Sequence, residues 1–232
     1  MIKILKKVYE RLAFNAMGIQ DYQKASHYFQ KILFAYPHER GVNYNYAVSL
    51  IGERQHTLAE KHLLMELDIS GERYEILKTL GELYYTNNNP QKAVTCLEKA
   101  LTHCIDKKES SLIEKKIVTA GDPRLYSNML KADTIFAQAT HHLDNDQWQK
   151  ARTLFEQALN YDKDNPLIYN NLGVISLNHE KAYVRAKKYF EKALVHCDLT
   201  IIKRNLAKAE FFIHEEARNS RKTCNTSVKE KV

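Results

Sequence analysis

Two dipeptides of metal-ligating type close nearly the same heptapeptide: Glu98-Lys99-Ala100-Leu101-Thr102-His103-Cys104 and Glu191-Lys192-Ala193-Leu194-Val195-His196-Cys197. Imidazole and thiolate are zinc ligands, but neighbours on a helix point about 100° apart and do not readily close on one ion. A histidine at a helix end also interacts favourably with the helix dipole, and that structural role is the expected one. His141-His142 has no third ligand nearby. The four cysteines, Cys96, Cys104, Cys197 and Cys224, form no CxxC pair. Their scatter fits buried thiols in a reducing compartment. Gly-rich phosphate loops, GxSxG and HExxH are absent, and carboxylates such as Glu98 and Glu156 lie beside Lys and Gln as on a solvated helix flank. The expectation is a protein that is not an enzyme and needs no cofactor or metal.

Composition agrees with a framework of helices rather than a catalytic cleft. The 232 residues are 44% hydrophobic and 27% charged, with only 7 Gly and 4 Pro, so long helices with short turns are favoured. No run approaches the roughly 20 apolar residues of a membrane span. Basic residues near the N-terminus lead into Tyr9-Glu10-Arg11 instead of an apolar stretch, so no secretory signal is read and a cytoplasmic protein is expected. Of the net charge of +7, +4 falls in residues 201–232. Such a tail is either solubilising or a contact for nucleic acid or acidic lipid; without a dense basic run, no specific nucleic acid is expected.

The elements that would carry any site recur on a fixed beat. Ala25, Ala59 and Ala93 stand 34 residues apart, and the pattern returns at Ala151 and, one residue late, at Ala186. Four residues after each comes Phe29, Leu63, Leu97, Phe155 or Phe190. A 34-residue period marks a helical repeat array, whose product is a curved surface. In the first unit, 6–39, apolar residues at three- and four-residue intervals give two amphipathic helices: Tyr9, Leu12, Ala13 and Ala16, then Tyr22, Ala25, Phe29 and Ile32. Pro37 ends the second.

These residues resemble the tetratricopeptide repeat. The third unit, 74–107, carries Leu77, Leu80, Gly81, Tyr84, Ala93, Leu97 and Ala100. The fifth, 166–200, carries Tyr169, Leu172, Gly173, Tyr183, Ala186, Phe190 and Ala193, with an extra residue in its turn. The fourth, 132–165, has Ala139, Trp148, Ala151, Phe155 and Ala158. The second, 40–73, departs from the pattern, with Glu66 where the last Ala belongs. The resemblance implies an all-α, right-handed α-solenoid of antiparallel helix pairs, about five units, arranged three plus two.

Ala93 and Ala151 are 58 residues apart, 24 more than the period. The added segment, 108–131, is either a degenerate helix pair or an ordered excursion that sets an angle between blocks 6–107 and 132–200. The favoured reading is one short helix, then a stop at Gly121, an N-cap at Asp122 and an extended helix over 123–143. Residues 201–218 read as a capping helix over the last apolar face, and 219–232 as a disordered basic tail.

The resemblance also implies which side chains face the concave groove. In the first unit these are Phe14 and Met17, with Lys7 and Glu10. Tyr44, Val48 and Ile51 follow in the second, and Lys78, Glu82 and Tyr85 in the third. Phe136 and Leu143, with Thr140, come from the fourth. Leu167, Asn170, Val174 and Leu177 come from the fifth. This mostly apolar stripe suits a helix or extended segment of a partner, unless the insertion or the C-terminal helix covers it. Members that grip a chaperone's C-terminal carboxylate use Lys, Asn and Arg where this chain has Glu10, Phe14, Glu75 and Thr79; although Asn45 fits, that ligand is not expected. The expected function is a non-enzymatic adaptor or scaffold for a protein or peptide. The alternatives are a structural or self-associating module, a bacterial secretion-type chaperone, or a basic-tail binder of nucleic acid or membrane.

Overall fold

A computed structural model describes the backbone over residues 2–229 and side chains over 4–219, and among these residues there are twelve α-helices and no strand. The chain divides into two compact units, Met1–Tyr126 and Ser127–Val232. The first holds α1 (Ile2–Gly18), α2 (Tyr22–Ala35), α3 (Val42–Gly52), α4 (His56–Ser70), α5 (Tyr74–Thr86), α6 (Pro90–Thr102), α7 (Lys107–Gly121) and the opening turn of α8 (Pro123–Asp144). The second holds the rest of α8, then α9 (Trp148–Ala158), α10 (Pro166–Asn178), α11 (Tyr183–His196) and α12 (Thr200–Lys229). Five helix pairs account for the five beats of the sequence, and α7 is the extra helix before the fourth.

The turn inside each pair repeats as faithfully as the alanines do. Gln20, Arg54, Asn88, Asp146 and Lys181 all adopt positive φ, between 53° and 61°, and each stands five residues before its alanine. A left-handed residue after a helix lets the next amide reach back to an orphan carbonyl. Asp21 N–H donates to Ala16 O, Gln55 N–H to Leu50 O, Asn89 N–H to Tyr84 O and Gln147 N–H to His142 O, each at 2.9 Å. In the fifth turn the bond runs from Ala182 N–H to Ser176 O at 2.8 Å, one residue longer, which absorbs the late alanine.

Asp21, Asn89, Asp106, Asp122 and Asn165 cap the helices that follow them, each accepting a backbone N–H with its side chain. Pro90, Pro123 and Pro166 open their helices, where a missing N–H leaves no bond unmade.

Close packing explains the beat itself. Ala25, Ala59, Ala93, Ala151 and Ala186 are fully buried. Opposite them stand Ala13, Ala47, Gly81, Ala139 and Gly173, again 34 residues apart within each block. At Gly173 even a β-carbon would meet the Phe190 ring at 2.5 Å, and at Gly81 it would meet Leu97 at 2.7 Å. The large partners Phe29, Leu63, Leu97, Phe155 and Phe190 are at most 1% exposed. Each contributes about 1.5–3 kcal/mol by burial.

The inserted segment and the tail are both helical. The segment 108–131 is spanned by α7 and the first turns of α8, and the division between the compact units falls inside α8, after Tyr126. The tail is helical through Lys229 where an irregular segment from 219 was expected. No Gly or Pro follows Pro166 and Gly173, so nothing in the sequence stops α12 once it has started. Residues 230–232 lie outside the described residues.

Candidate partner-binding groove

In the first unit, α3 and α5 bound a groove of about 490 Å³. Tyr44, Val48 and Ile51 form one wall; Tyr74, Glu75, Lys78, Thr79, Glu82 and Thr86 form the other. The walls meet where the Tyr44 hydroxyl lies 3.3 Å from Thr79 Oγ1. Thr79 and Thr86 return their own hydroxyl protons to the backbone, to Glu75 O at 2.7 Å and Glu82 O at 3.1 Å. Val48 and Ile51 are half-buried, so the α3 wall is apolar and part of it is open.

The start of α3 is fixed from another helix. Gly41, its N-cap, has φ 81° and no side chain to cap with. Glu66 of α4, 1% exposed, supplies the acceptors instead: Gly41 N–H donates to Oε1 at 2.7 Å and Tyr44 N–H to Oε2 at 3.4 Å. Ser70 Oγ–H donates to the same carboxyl group. The residue that breaks the repeat pattern thus positions the wall that carries Tyr44. The sequence shows the departure at Glu66 without showing its use.

Helix α7 meets the charged residues of the other wall. Lys78 pairs with Glu109, and Lys116 with Glu82 at 2.6 Å. Partial burial lowers the Lys78 ammonium, but the Glu109 hydrogen bond and the charges of Glu82 and Glu109 outweigh it and hold the group above its usual range. Tyr85, one turn further on, is covered by the opening turn of α8: the Tyr126 hydroxyl donates to Tyr85 O at 2.6 Å and the rings lie edge to face at 5.6 Å. The insertion therefore takes up the third unit's inner-face residues, leaving the apolar α3 wall.

Of the residues expected in the groove, Tyr44, Val48, Ile51, Lys78 and Glu82 come together here. Phe14 and Met17 do not line it: Phe14 is 51% exposed with its ring edge-on to Phe29, and Met17 packs on the core. Tyr74 and Thr86 line the groove without having been expected, and Glu75 and Thr79 line it at positions the sequence singled out only against a carboxylate ligand. Glu75, Lys78, Thr79, Glu82 and Thr86 share one helical stripe, a spacing that was available in the sequence.

In the second unit, Phe136 stands edge-on to Phe155 at 5.5 Å, and Leu143 is half-buried against the same core. Leu167, at the start of α10, is 46% exposed. The rest of the α10 stripe meets α12, with Asn170 and Val174 half-buried there. Asn205 Nδ2 donates to Asn170 Oδ1 at 3.0 Å, and Val174 packs in a cluster with Leu206 and Phe212. Leu177 is only 4% exposed, a core residue rather than a groove wall, in a cluster with Ala186 and Phe190 of α11 and Ile202 and Ala209 of α12.

The His-Cys echoes have local partners. Cys104 Sγ reaches Asp106 O and Cys197 Sγ reaches Ala193 O, each at 3.5 Å. His196 Nε2 lies 3.7 Å from Asp164. Cys224 is outside the described side chains. Among the described residues, no helix is long and apolar enough to cross a membrane.

Comparison with known proteins places this architecture. The family model of the TPR repeat matches residues 142–178, from the end of α8 through α10. No curated protein matches the sequence. The solved structure of a tetratricopeptide repeat protein from Parabacteroides merdae is similar at a TM-score of 0.50 and 16% identity, over 88% of this chain and 84% of that one. Pseudomonas aeruginosa pilF gives 0.46 at 15% identity, over 93% of this chain and 92% of that one. The TPR2AB domain of yeast Sti1, solved as a complex with pHSP90, gives 0.44 at 13% identity, over 93% and 87%. Residues 142–178 thus carry a TPR repeat, and the helix pairs on the 34-residue beat give the chain a fold similar to that of tetratricopeptide-repeat solenoids.

Proposed function

We propose that this protein is an interaction module that holds an apolar segment of a partner protein in the α3–α5 groove. One observation carries the reading: Lys78 and Glu82 are already paired with Glu109 and Lys116, so the α3 wall of Tyr44, Val48 and Ile51 is what the groove offers a ligand. Such a wall takes an amphipathic helix or an extended chain by burial of its side chains. A C-terminal carboxylate fits less well, because the lysine is engaged and Glu75 lines the same wall.

Val48→Asp is the test. It places a charge on the apolar wall at a half-buried position, so α3 and the core are expected to persist. Affinity capture from the native cell is expected to lose a partner, by about tenfold or more in recovery, while helicity is unchanged. Undiminished recovery with Val48→Asp and Tyr44→Ala alike rejects the reading.

A further inference from the structure

A second recess lies away from the groove, at the N-terminal end of the first unit, and its chemistry differs. Leu5, Tyr9, Phe34 and Tyr36, with Lys6 and Lys31, surround a pocket of about 340 Å³. That volume is at the small end of the roughly 300–1,000 Å³ typical of ligand pockets. Tyr9 stacks on Tyr28 with centroids 5.9 Å apart, and Tyr36 lies beneath Lys6. The rim is apolar and open: Phe34 is 94% exposed and Leu5 51%. Side chains of this size and exposure gathered round one recess mark an interaction site rather than scattered surface apolars.

Charge selects the occupant. Lys6 takes both nearby carboxylates, Glu39 at 2.9 Å and Glu10 at 3.6 Å. The Lys31 ammonium faces rings only, 5.3 Å from the Tyr9 centroid and 5.9 Å from that of Tyr28. Among the described residues it has no carboxylate partner. Lys31 is exposed at the pocket edge, where its ammonium can take a carboxylate from a ligand while its stem rests on the rings. The first forty residues carry seven basic against three acidic side chains, +4 of the chain's +7.

We infer that this pocket binds an acidic segment of a partner protein, which inserts one aromatic or aliphatic side chain onto the tyrosine floor and sets an adjacent Asp or Glu on Lys31. A recess favours an inserted side chain over a flat bilayer, which would touch the Phe34 rim and leave the floor unfilled. A second copy of this chain is disfavoured at its own ends, because residues 201–232 are basic as well. The site is independent of the α3–α5 groove and shares no residue with it.

The experiment pans a display library of random short peptides on the full chain, then measures one enriched peptide by fluorescence anisotropy. Enriched sequences are expected to set Asp or Glu beside an apolar residue. Lys31→Glu and Phe34→Ser, both at exposed positions, are each expected to weaken binding about tenfold, and Val48→Asp to leave it unchanged. Raising the salt concentration is expected to weaken it further. Circular dichroism of each variant checks that the helices remain. Four results overturn the inference: enriched peptides without acidic excess, affinity insensitive to Lys31→Glu, loss of binding in Val48→Asp, or binding of phosphatidylserine vesicles in place of any peptide.

Discussion

His62 couples a single side chain to the element that carries the groove wall. Its Nδ1 lies 2.7 Å from Oδ1 of Asn43, a residue 2% exposed near the start of α3, and its ring stands edge-on to Tyr46 at 4.7 Å. Burial, aided by the charge of Lys61, holds the imidazole below its ordinary 6.5. The unfolded chain therefore takes up a proton at a pH where the folded chain does not. Stability linked to neutral His62 is complete above about pH 6.5 and is lost as pH falls from there toward the folded value. Thermal melts at about pH 7.5 and pH 5.5 are expected to show a larger drop for the native chain than for His62→Gln. The gap should amount to about 2–4 °C per kcal/mol of linkage. Equal drops would remove His62 from the pH response.

At the scale of elements, the turns carry local strain that the helices tolerate. Arg54 sits at φ 61° in the second turn, exposed and with a full side chain. Left-handed backbone costs an ordinary residue about 1 kcal/mol relative to glycine. Arg54→Gly is expected to raise stability by about 0.5–1 kcal/mol, and Asn88→Gly by less, because asparagine already tolerates that conformation. Urea titration of both variants checks the order. Periodicity made these elements legible: Ala25 through Ala186 located the pairs, and Asp122-Pro123 located the start of α8. The site was legible only in part. Val48 and Leu177 read alike on a helical stripe, yet one lines a groove and the other is core. The difference comes from α11 and α12, whose Ala186, Phe190, Ile202 and Ala209 share the Leu177 cluster, and no spacing within α10 records that. Likewise, nothing local to Lys78 and Glu82 announces that α7 presents Glu109 and Lys116 to them.

At the scale of the whole molecule, each compact unit is built by the same rule, in which a small residue on one helix receives a large one from its pair. The departures from that rule are where the units acquire individual properties. Glu66 is the clearest, a carboxyl group buried where the repeat wants alanine, spanning 25 residues to reach the Gly41 amide. An amide bonded within its own helix is shielded as long as that helix persists. The Gly41 amide is shielded only while α4 remains docked, so its exchange with deuterated water times the opening of the α3–α4 pair, not the fraying of either helix. Glu66→Ala is expected to cost about 1–3 kcal/mol and to speed exchange at Gly41 and Tyr44 together, with the α10–α11 amides unchanged. Residue-resolved exchange that left Gly41 slow in the variant would show another protector at work. A defect in the repeat would then serve as a built-in reporter, by which the breathing of the groove wall is followed in solution one hydrogen at a time.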